Sequence, residues 1–303
     1  MFFKNLVLYR LEKPFSYSLE ELETTLGQAA FTPCGPADST RYGWSTPMPV
    51  GQQYVHSGSG YHLIAAKKEE RILPASVIRE HAEQRADEIE ANTGTRPRGK
   101  RLKQLREEVT EALTPRAFTR SRYCYAWISP QLNTIAVDSA TVSRADELVN
   151  FLRQTLGSLP VSLPKPKQPL SETFTRWLTD MRLLPAEFIL GDECELREPV
   201  EQGGIVRCRQ QNLEADEVLN HIKTGKHASK LALNWKGRLS FVLDDMLSIK
   251  RLRFGEDILE AAEASDEGDA AMQFDSDFNL MSLELATFIP YLLEHTCRSV
   301  NTQ

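Results

Sequence analysis

The sequence predicts an α+β protein, with mixed sheets and helices packed against them. Three observations predict this class: strand-like runs occur in both halves of the chain, a charged stretch after Pro74 has helical spacing, and a proline-rich segment separates the halves. The chain has 303 residues, of which 41% are hydrophobic and 26% are charged, so it can form two or three domains with substantial cores.

The N-terminal region shows the order strand, helix, loop, strand. The run FFKNLVLYRL is typical of a buried strand, because its apolar residues scarcely alternate with polar ones. Ser18 and Glu21 form a capping box, which predicts the start of a helix. The turn-forming residues of AFTPCGPADS indicate a loop, and YHLIAAKKEERILP indicates a second strand.

Two charged helices are predicted after Pro74. The first is SVIREHAEQRADEIEAN, which ends at Gly94; the turn TRPRG joins it to the second, KRLKQLREEVTEAL. Leu102, Leu105 and Val109, followed by Ala112, place an apolar stripe on one face of the second helix. Because both stripes are thin, we expect this pair to project from a sheet domain and to need a partner surface.

A boundary between domains is predicted at the proline-rich segment VSLPKPKQPLS. Before it come the strand residues Tyr123 to Trp127, the strand TIAVD and the helix RADELVNFLRQTLG. We therefore predict a central α+β domain of residues 1–75 and 119–163, an inserted helical tip of residues 76–118, and a C-terminal α+β base domain of residues 164–303 that contains an acidic segment.

The C-terminal half repeats the α+β character. Strands are predicted at FILGD, GGIVRCR, KLALNW, RLSFVLDD and SIKRLRF, with helices around Trp177 and Val218 and a hairpin turn at Lys236-Gly237. The acidic stretch EDILEAAEASDEGDA is predicted to be solvated. A final helix around Met281 to Leu292 is predicted to pack on the sheet, with Pro290 as a point where it can kink.

Positive and negative charges are separated along the chain. Although the net charge is −6, residues 255–303 carry eleven acidic residues and one basic residue, which leaves residues 1–254 with a balance of +4. Residues 96–122 contain nine Lys or Arg against three Glu, and residues 203–254 contain ten against five acidic residues. This separation is expected if one surface faces a polyanion and another faces solvent.

Several classes of protein lack support in the sequence. The N-terminal apolar stretch contains Lys4 and Arg10, and no later run of about 18 apolar residues follows, so we expect neither export nor a membrane span. Five scattered cysteines without a C-x-x-C pair favour reduced thiols in a cytoplasm. No cofactor is predicted.

Catalytic and metal motifs are equally weak. Gly225-Lys226 lacks the first glycine and the Ser or Thr of a phosphate loop, and the six histidines form no metal-binding pair. The pairs Asp244-Asp245 and Asp275-x-Asp277 could bind a divalent ion, but carboxylates at such positions are usually caps or turns. We expect no enzyme.

The basic stretches permit two interpretations. A helix rich in Lys and Arg is most often a solvated face. Against this, the arginines after Pro115 follow a helix end, and Lys223, Lys226 and Lys230 recur at spacings of three and four that predict one helical or turn face. Such a row of cations can bind backbone phosphates without reading the base sequence.

Several blocks resemble one known family. The stretches FKNLVLYRL, AFTPCG, AAKKEERILP, LTPRAFTR, LGSLPV, GGIVR, KLALNW and FDSDFNLMSLELA are closely similar, in the same order, to the recombination-associated protein RdgC family of proteobacteria. The resemblance runs from residue 2 to about residue 293. It implies a protein that binds duplex DNA without sequence preference and restrains the RecA recombinase. It also implies a ring-shaped homodimer of horseshoe-shaped subunits with a positively charged central hole.

The resemblance also implies roles for residues. The PRAF motif matches Pro115 to Phe118, so Phe118 would close a dimer junction and Arg116 would approach the DNA, while Gln211 and Lys226 match positions near the hole. The chain differs from better-known members at Gln210, where they have lysine, and in TRPRGKR, whose basic residues are shifted. With the basic stretches, this predicts the DNA contacts Arg98, Lys100, Arg101, Arg116, Arg120, Arg209, Gln211, Lys223, Lys226 and Lys230.

The resulting hypothesis is a nucleoid-associated protein of the cytoplasm with no chemical step, in which a ring encloses duplex DNA and leaves less of it for RecA. The main alternative is a protein-interaction module that contacts RecA or a replication protein directly, its basic stretches being solvated helix faces. A third alternative is an enzyme with an unrecognised metal site.

Overall fold

The chain is an α+β protein with two antiparallel sheets. The computed structural model describes residues 1–48, 50–200, 202–264 and 269–297, and these form twelve strands and eight α-helices. None of the helices in these ranges is long and apolar enough to cross a membrane.

The strands and helices have the following bounds. The strands are β1 Val7–Leu11, β2 Thr40–Ser45, β3 Val55–Gly58, β4 Tyr61–Ile72, β5 Phe118–Ser129, β6 Thr134–Val137, β7 Val161–Ser162, β8 Phe188–Arg197, β9 Ile205–Cys208, β10 His227–Trp235, β11 Leu239–Asp244 and β12 Ile249–Phe254. The helices are α1 Leu19–Gln28, α2 Ala75–Thr93, α3 Gly99–Leu113, α4 Val142–Leu156, α5 Leu170–Thr179, α6 Asp216–Lys223, α7 Glu256–Ala264 and α8 Ala270–Thr296. Thr114–Arg116 and Met181–Leu183 form short 3-10 helices.

The prediction of mixed sheets is wrong. The seven-stranded sheet has the order β2-β4-β5-β6-β1-β7 with β3 beside β4, and the five-stranded sheet has the order β12-β11-β10-β8-β9. Every recorded strand ladder in the described residues is antiparallel. Consecutive strands such as β10 and β11 are joined by short hairpins, which bring neighbours together in opposite directions.

The chain divides into two compact units. The larger unit contains residues 1–25, 46–64 and 124–303, and the smaller contains residues 26–45 and 65–123. The division falls within the long strands β4 and β5.

The larger unit has a core of aromatic and aliphatic side chains on one face of the five-stranded sheet. Phe288 of α8 is fully buried and lies 5.4 Å from Trp235 and 5.0 Å from Phe241, measured between ring centroids. Helix α8 therefore packs on the sheet as predicted. The hairpin between β10 and β11 is also confirmed, because Trp235 and Leu239 are strand partners and Lys236 and Gly237, both with positive φ, lie in the short turn between them.

The smaller unit contains the two predicted charged helices. Helix α2 ends at Gly94, which has a φ of 72°, and α3 begins at Gly99, so both boundaries agree with the prediction to within two residues. Their buried residues are few: Ala82 and Ala86 on α2, Leu105 and Val109 on α3. Ala112, expected on the same stripe, is exposed.

Four elements depart from the sequence analysis. Strands β2 and β3 lie between the predicted loop and the second predicted strand, β7 lies in the proline-rich segment, and α7 occupies the first part of the stretch expected to be solvated. Helix α7 forms because Ile258 and Ala262, four residues apart, bury one side of it. The remainder of the acidic stretch at 265–268 and the last six residues, with Arg298, lie outside the described residues.

Candidate nucleic-acid interface

The first half of β5 is exposed, whereas its second half is buried. All side chains from Phe118 to Tyr123 are exposed, and most of those from Cys124 to Ser129 are buried. Successive strand residues point to opposite faces, so Phe118, Arg120 and Arg122 share one face. We call these three residues the arginine face. Phe118, with 86% of its surface exposed, leaves a large apolar side chain in solvent.

Hydrogen bonds fix the backbone around the arginine face. Arg71 donates from Nη1 to the Ala117 carbonyl at 2.7 Å and from Nη2 to the Gly35 carbonyl at 3.1 Å. On the opposite face of β5, the Ser121 hydroxyl donates to Glu69 at 3.2 Å. These contacts fix the positions of Ala117, which precedes Phe118, and of Ser121, which lies between Arg120 and Arg122.

Three arginines around the start of β5 have no carboxylate partner among the described residues. Arg116, in the 3-10 helix before β5, and Arg120 and Arg122, on the arginine face, are all exposed. Throughout the described ranges, none of the three forms an ion pair. Their charges are therefore available to an external anion.

The turn between α2 and α3 adds further cations. Arg98 and Lys100 are exposed and form no ion pair with any described residue, and Arg101 lies 3.4 Å from Glu108. Arg96, by contrast, contacts both Asp87 and Glu90. The smaller unit thus contains five of the predicted DNA contacts, four of them unpaired in the described part of the chain.

A second cationic surface lies on the larger unit. The face of the five-stranded sheet opposite its core carries seven basic side chains, which we call the basic sheet face: Arg197, Arg207, Arg209, Lys230, Lys250, Arg251 and Arg253. Three carboxylates, those of Glu193, Glu195 and Asp244, pair with all of these cations except Arg253.

Glu195 is the centre of this face. Its side chain is 5% exposed, and it accepts hydrogen bonds from Arg207 at 2.8 Å, from Lys230 at 3.0 Å and from Arg197 at 2.8 Å. Burial alone would raise the pKa of this carboxyl. The hydrogen bonds from Arg207, Lys230 and Arg197 outweigh that effect and lower its pKa to about 2.

The predicted contacts of the second region lie on different elements. Lys223 is the last residue of α6, Lys226 lies in the following turn, and Lys230 is on β10. The prediction that they share one helical or turn face is wrong, because Gly225 with a φ of 97° ends the helical path and β10 begins at His227.

These side chains also differ in availability. Lys226 is 14% exposed and contacts Glu198 at 3.0 Å, Lys230 contacts Glu195, and Arg209 lies 3.6 Å from Glu193. Gln211 and Lys223 are exposed. Of the predicted contacts on the larger unit, Lys230 and Arg209 therefore belong to the basic sheet face, and the other three lie outside it.

Sequence reasoning missed five members of the basic sheet face. The predicted DNA contacts did not include Arg197, Arg207, Lys250, Arg251 and Arg253, although the last three lie in SIKRLRF, which was predicted as a strand. The alternation of Ile249, Leu252 and Phe254 with these cations is the signal that could have assigned them to the solvent face; Arg251, with a positive φ of 53°, adds one residue to the strict alternation.

Comparison with known proteins identifies the family. Residues 1–296 match a family model described as "Putative exonuclease, RdgC". The chain belongs to the RdgC family. It is 45% identical over 293 residues to the "Recombination-associated protein RdgC" of Aeromonas hydrophila, covering 96% of both chains. It is 42% identical to the protein of that name from Tolumonas auensis, covering 97% of both chains, and 41% identical to that from Pseudomonas putida, covering 97% of this chain and 96% of the relative.

The two descriptions of RdgC proteins differ on catalysis, since one names an exonuclease and the other does not. Within the described ranges, no three His, Cys, Asp or Glu side chains are grouped as a metal site would require. Asp244, the last residue of β11, stabilises the turn that follows: it accepts the backbone N–H of Ser248 at 2.8 Å and pairs with Lys250 at 2.8 Å. Asp277 pairs with the N-terminal amine, and Asp275 accepts from Asn279.

The charge cluster at Glu195 predicts a pH-dependent stability for this RdgC chain. The carboxyl pKa is about 2 when folded and about 4.3 in an unfolded chain. A lowered pKa stabilises the folded state above the unfolded value, and this contribution is lost as the pH falls from about 4.5 towards 2. Glu195→Gln should lower the free energy of unfolding by about 1–3 kcal/mol at pH 7, and much less at pH 2.5.

Urea unfolding at pH 7, 4.5 and 2.5 measures this difference. Glu111→Gln is the matched control, because Glu111 is exposed and forms no ion pair with a described residue. A gap between Glu195→Gln and the wild type that stays constant across the three pH values would contradict the stated role of this carboxylate.

Proposed function

We propose that the chain binds duplex DNA without sequence preference, as a homodimeric ring, and thereby restrains recombination by RecA. The observation that carries the proposal is the arginine face, where two arginines without partners in the described residues follow a phenylalanine that is 86% exposed. Phosphates supply the missing anions, and a second subunit supplies a cover for the phenylalanine.

The cations suit a ligand whose charge repeats at regular spacing. Arg120 and Arg122 are two residues apart on one strand, which places their Cα atoms about 6.6–6.8 Å apart, close to the spacing of phosphates along a nucleic-acid strand. Arg116, Arg98 and Lys100 on the same unit lack ion-pair partners among the described residues as well. Contacts of this kind give an affinity that depends strongly on salt and weakly on sequence.

Phe118 supports the dimeric part of the proposal. A large apolar side chain that solvent almost fully surrounds gains stability when a second surface removes it from water. In a two-fold homodimer both subunits use the same surface patch, so Phe118 contributes to the junction from each subunit and each cation is present twice. The ring would therefore combine an apolar junction with a cationic lining.

The basic sheet face supports DNA binding by the larger unit. Its seven cations exceed its three carboxylates, so the face keeps a positive surplus although most of its members are paired. A phosphate that approaches this face would compete with Glu193 and Asp244 for their partners. Restraint of RecA follows by mass action, since DNA inside the ring is less available to the recombinase; the name that its relatives carry, recombination-associated protein, fits this role.

The salt dependence of DNA binding tests the central step. The logarithm of the affinity for a duplex of arbitrary sequence should fall with the logarithm of the salt concentration, with a slope of about −0.9 for each phosphate contacted. The double variant Arg120→Gln, Arg122→Gln removes four arginines from the homodimer and should reduce the magnitude of this slope by about 4. Fluorescence anisotropy of a labelled duplex at several salt concentrations measures both.

The control for this experiment is Arg182→Gln, because Arg182 is 89% exposed but pairs with Asp180 and belongs to neither cationic surface. It should leave the slope unchanged. A wild-type protein that does not bind at low salt, or that binds without a salt response, would refute DNA binding. If that protein still inhibited RecA, the alternative of direct contact with RecA would replace the proposal.

Phe118→Ala tests the dimer junction. Since the side chain is almost entirely exposed, its removal should leave the melting temperature of the subunit unchanged. Full burial of one phenylalanine is worth about 1.5–3 kcal/mol, so the dissociation constant of the dimer should rise at least about tenfold. Sedimentation equilibrium measures the dimer, and retention on closed circular duplex measures the ring.

Met246→Ala is the matched control, because Met246 is also a large and highly exposed apolar residue, with 69% of its surface accessible. It should change neither self-association nor DNA retention. Should Phe118→Ala associate and hold DNA as the wild type does, the junction has been assigned to the wrong residue.

The description of the family model as an exonuclease is tested separately. Linear duplex DNA labelled at its ends should remain intact when the chain is added with Mg²⁺ or Mn²⁺, since the aspartates considered as metal ligands make turn and helix contacts instead. Gel analysis of the products measures this. Cleavage that disappears in Asp244→Asn or Asp277→Asn would establish an enzyme.

A further inference from the structure

Two cysteines lie opposite each other on neighbouring strands of the five-stranded sheet. Cys194 of β8 and Cys208 of β9 are direct partners in the antiparallel register. Both are free thiols and belong to the side of the sheet that faces the core, where Cys194 is 1% exposed and Cys208 is partly buried. Within the described residues, no other two cysteines are strand partners.

The ladder indicates the separation of the two backbones. The Glu198 N–H donates to the Gly204 carbonyl at 3.1 Å, so this pair is of the hydrogen-bonded kind. Hydrogen-bonded and non-hydrogen-bonded pairs alternate along an antiparallel ladder, so the pair of Cys194 and Cys208, four positions further, is of the same kind. The Cα atoms of such a pair are about 5.5 Å apart, within the range of about 4.4–6.8 Å that a disulfide spans.

We propose that Cys194 and Cys208 are a modification site at which hydroperoxides form a reversible cross-strand disulfide. The Cys208 sulfur attacks the terminal oxygen of the hydroperoxide: an S–O bond forms, the O–O bond breaks, and the other oxygen takes up the thiol proton and leaves as an alcohol, or as water when the oxidant is hydrogen peroxide. The Cys194 sulfur then attacks the sulfenic sulfur of Cys208, so that an S–S bond forms, the S–O bond breaks and water leaves. Two thiols are oxidised and one hydroperoxide is reduced; with hydrogen peroxide the only other product is water.

The two cysteines are suited to different steps. Cys208 lies on β9, the edge strand of the sheet, and is partly exposed, so the peroxide can reach it. Cys194 lies on an inner strand, where burial raises the pKa of its thiol and the neighbouring Cys208 raises it further. Cys194 therefore stays a thiol until the sulfenic group forms beside it, which is the behaviour of a resolving cysteine.

The disulfide would act on the basic sheet face. The next pair along the ladder is Glu195 and Arg207, which belongs to the charge cluster, and Arg209 and Gln211 follow β9 directly. Strand β9 pairs only with β8 in the described part of the chain. A covalent bond at this point would hold these side chains in one position, while reduction would return the edge strand to hydrogen bonds alone.

The experiment treats the folded 303-residue chain with hydrogen peroxide, removes the peroxide, unfolds the chain in urea, blocks the remaining thiols with iodoacetamide and identifies peptides by mass spectrometry without reduction. We expect one intramolecular cross-link between residues 194 and 208 and a fall from five free thiols to three. Dithiothreitol should restore all five. Amide hydrogen exchange in β9 should be at least severalfold slower in the oxidised form.

The variants separate this site from other oxidation. Cys208→Ser should abolish the cross-link and leave Cys194 alkylated, whereas Cys34→Ser, which removes another partly exposed cysteine, should leave the cross-link intact. Five free thiols after treatment, a sulfinic acid at Cys208 without a cross-link, or a disulfide between two chains would each overturn the proposal. No DNA is present in this assay, so its outcome is independent of the proposed DNA binding.

Discussion

The carboxylate of Glu195 is the interaction on which the cationic character of the five-stranded sheet depends. Arg207, Glu195 and Lys230 lie side by side on three adjacent strands, with the glutamate on the middle one. Like charges on neighbouring strands repel, so an uncharged residue at this position would leave the basic side chains facing each other. One buried carboxylate, which stays ionised far below neutral pH, allows these cations to share a surface and still leaves the surface positive.

The two cationic surfaces differ in how their charges are held. On the basic sheet face, carboxylates position six of the seven cations, which limits their movement and also their free charge. On the arginine face, and at Arg98 and Lys100 beside the turn between α2 and α3, the cations face solvent without such partners in the described residues. An anionic ligand gains less from paired cations, because it must replace an existing attraction, than from unpaired ones. The smaller unit is therefore suited to strong attraction and the larger unit to defined orientation.

The sequence predicted the features that depend on residues close together in the chain, and missed most of those that depend on contacts between distant residues. Local periodicity predicted α2, α3, the stop at Gly94 and the hairpin at Lys236-Gly237, because each depends on residues close together in the chain. The strand around Trp127 was also predicted, but its start at Phe118 was not, since a strand segment exposed on both faces lacks apolar alternation. Strands β2 and β3 were not predicted for a similar reason, because each contains glycine and polar residues that interrupt the apolar alternation.

The charge cluster could not be predicted from one sequence. Glu195 and Lys230 are 35 positions apart, and only the register of β8 with β10 brings them together. The interruption at Gly225 also shows why spacing alone misplaced Lys223, Lys226 and Lys230: a regular interval predicts a common face only while the backbone conformation continues. Membership of the RdgC family, by contrast, was evident from short blocks of sequence and is confirmed over nearly the whole chain.

The alternation along β5 restricts how this part of the chain can change in length. Phe118, Arg120 and Arg122 share a face only because each is two residues from the next, and the positions between them are Thr119 and Ser121. Loss or gain of a single residue inside this stretch would carry part of the motif to the opposite face, beside Glu69, and would separate the aromatic ring from at least one guanidinium group. An insertion or deletion of two residues would keep the phenylalanine and the arginines on the same face. We therefore expect insertions and deletions in this stretch to contain an even number of residues, a constraint that the composition of the segment does not reveal.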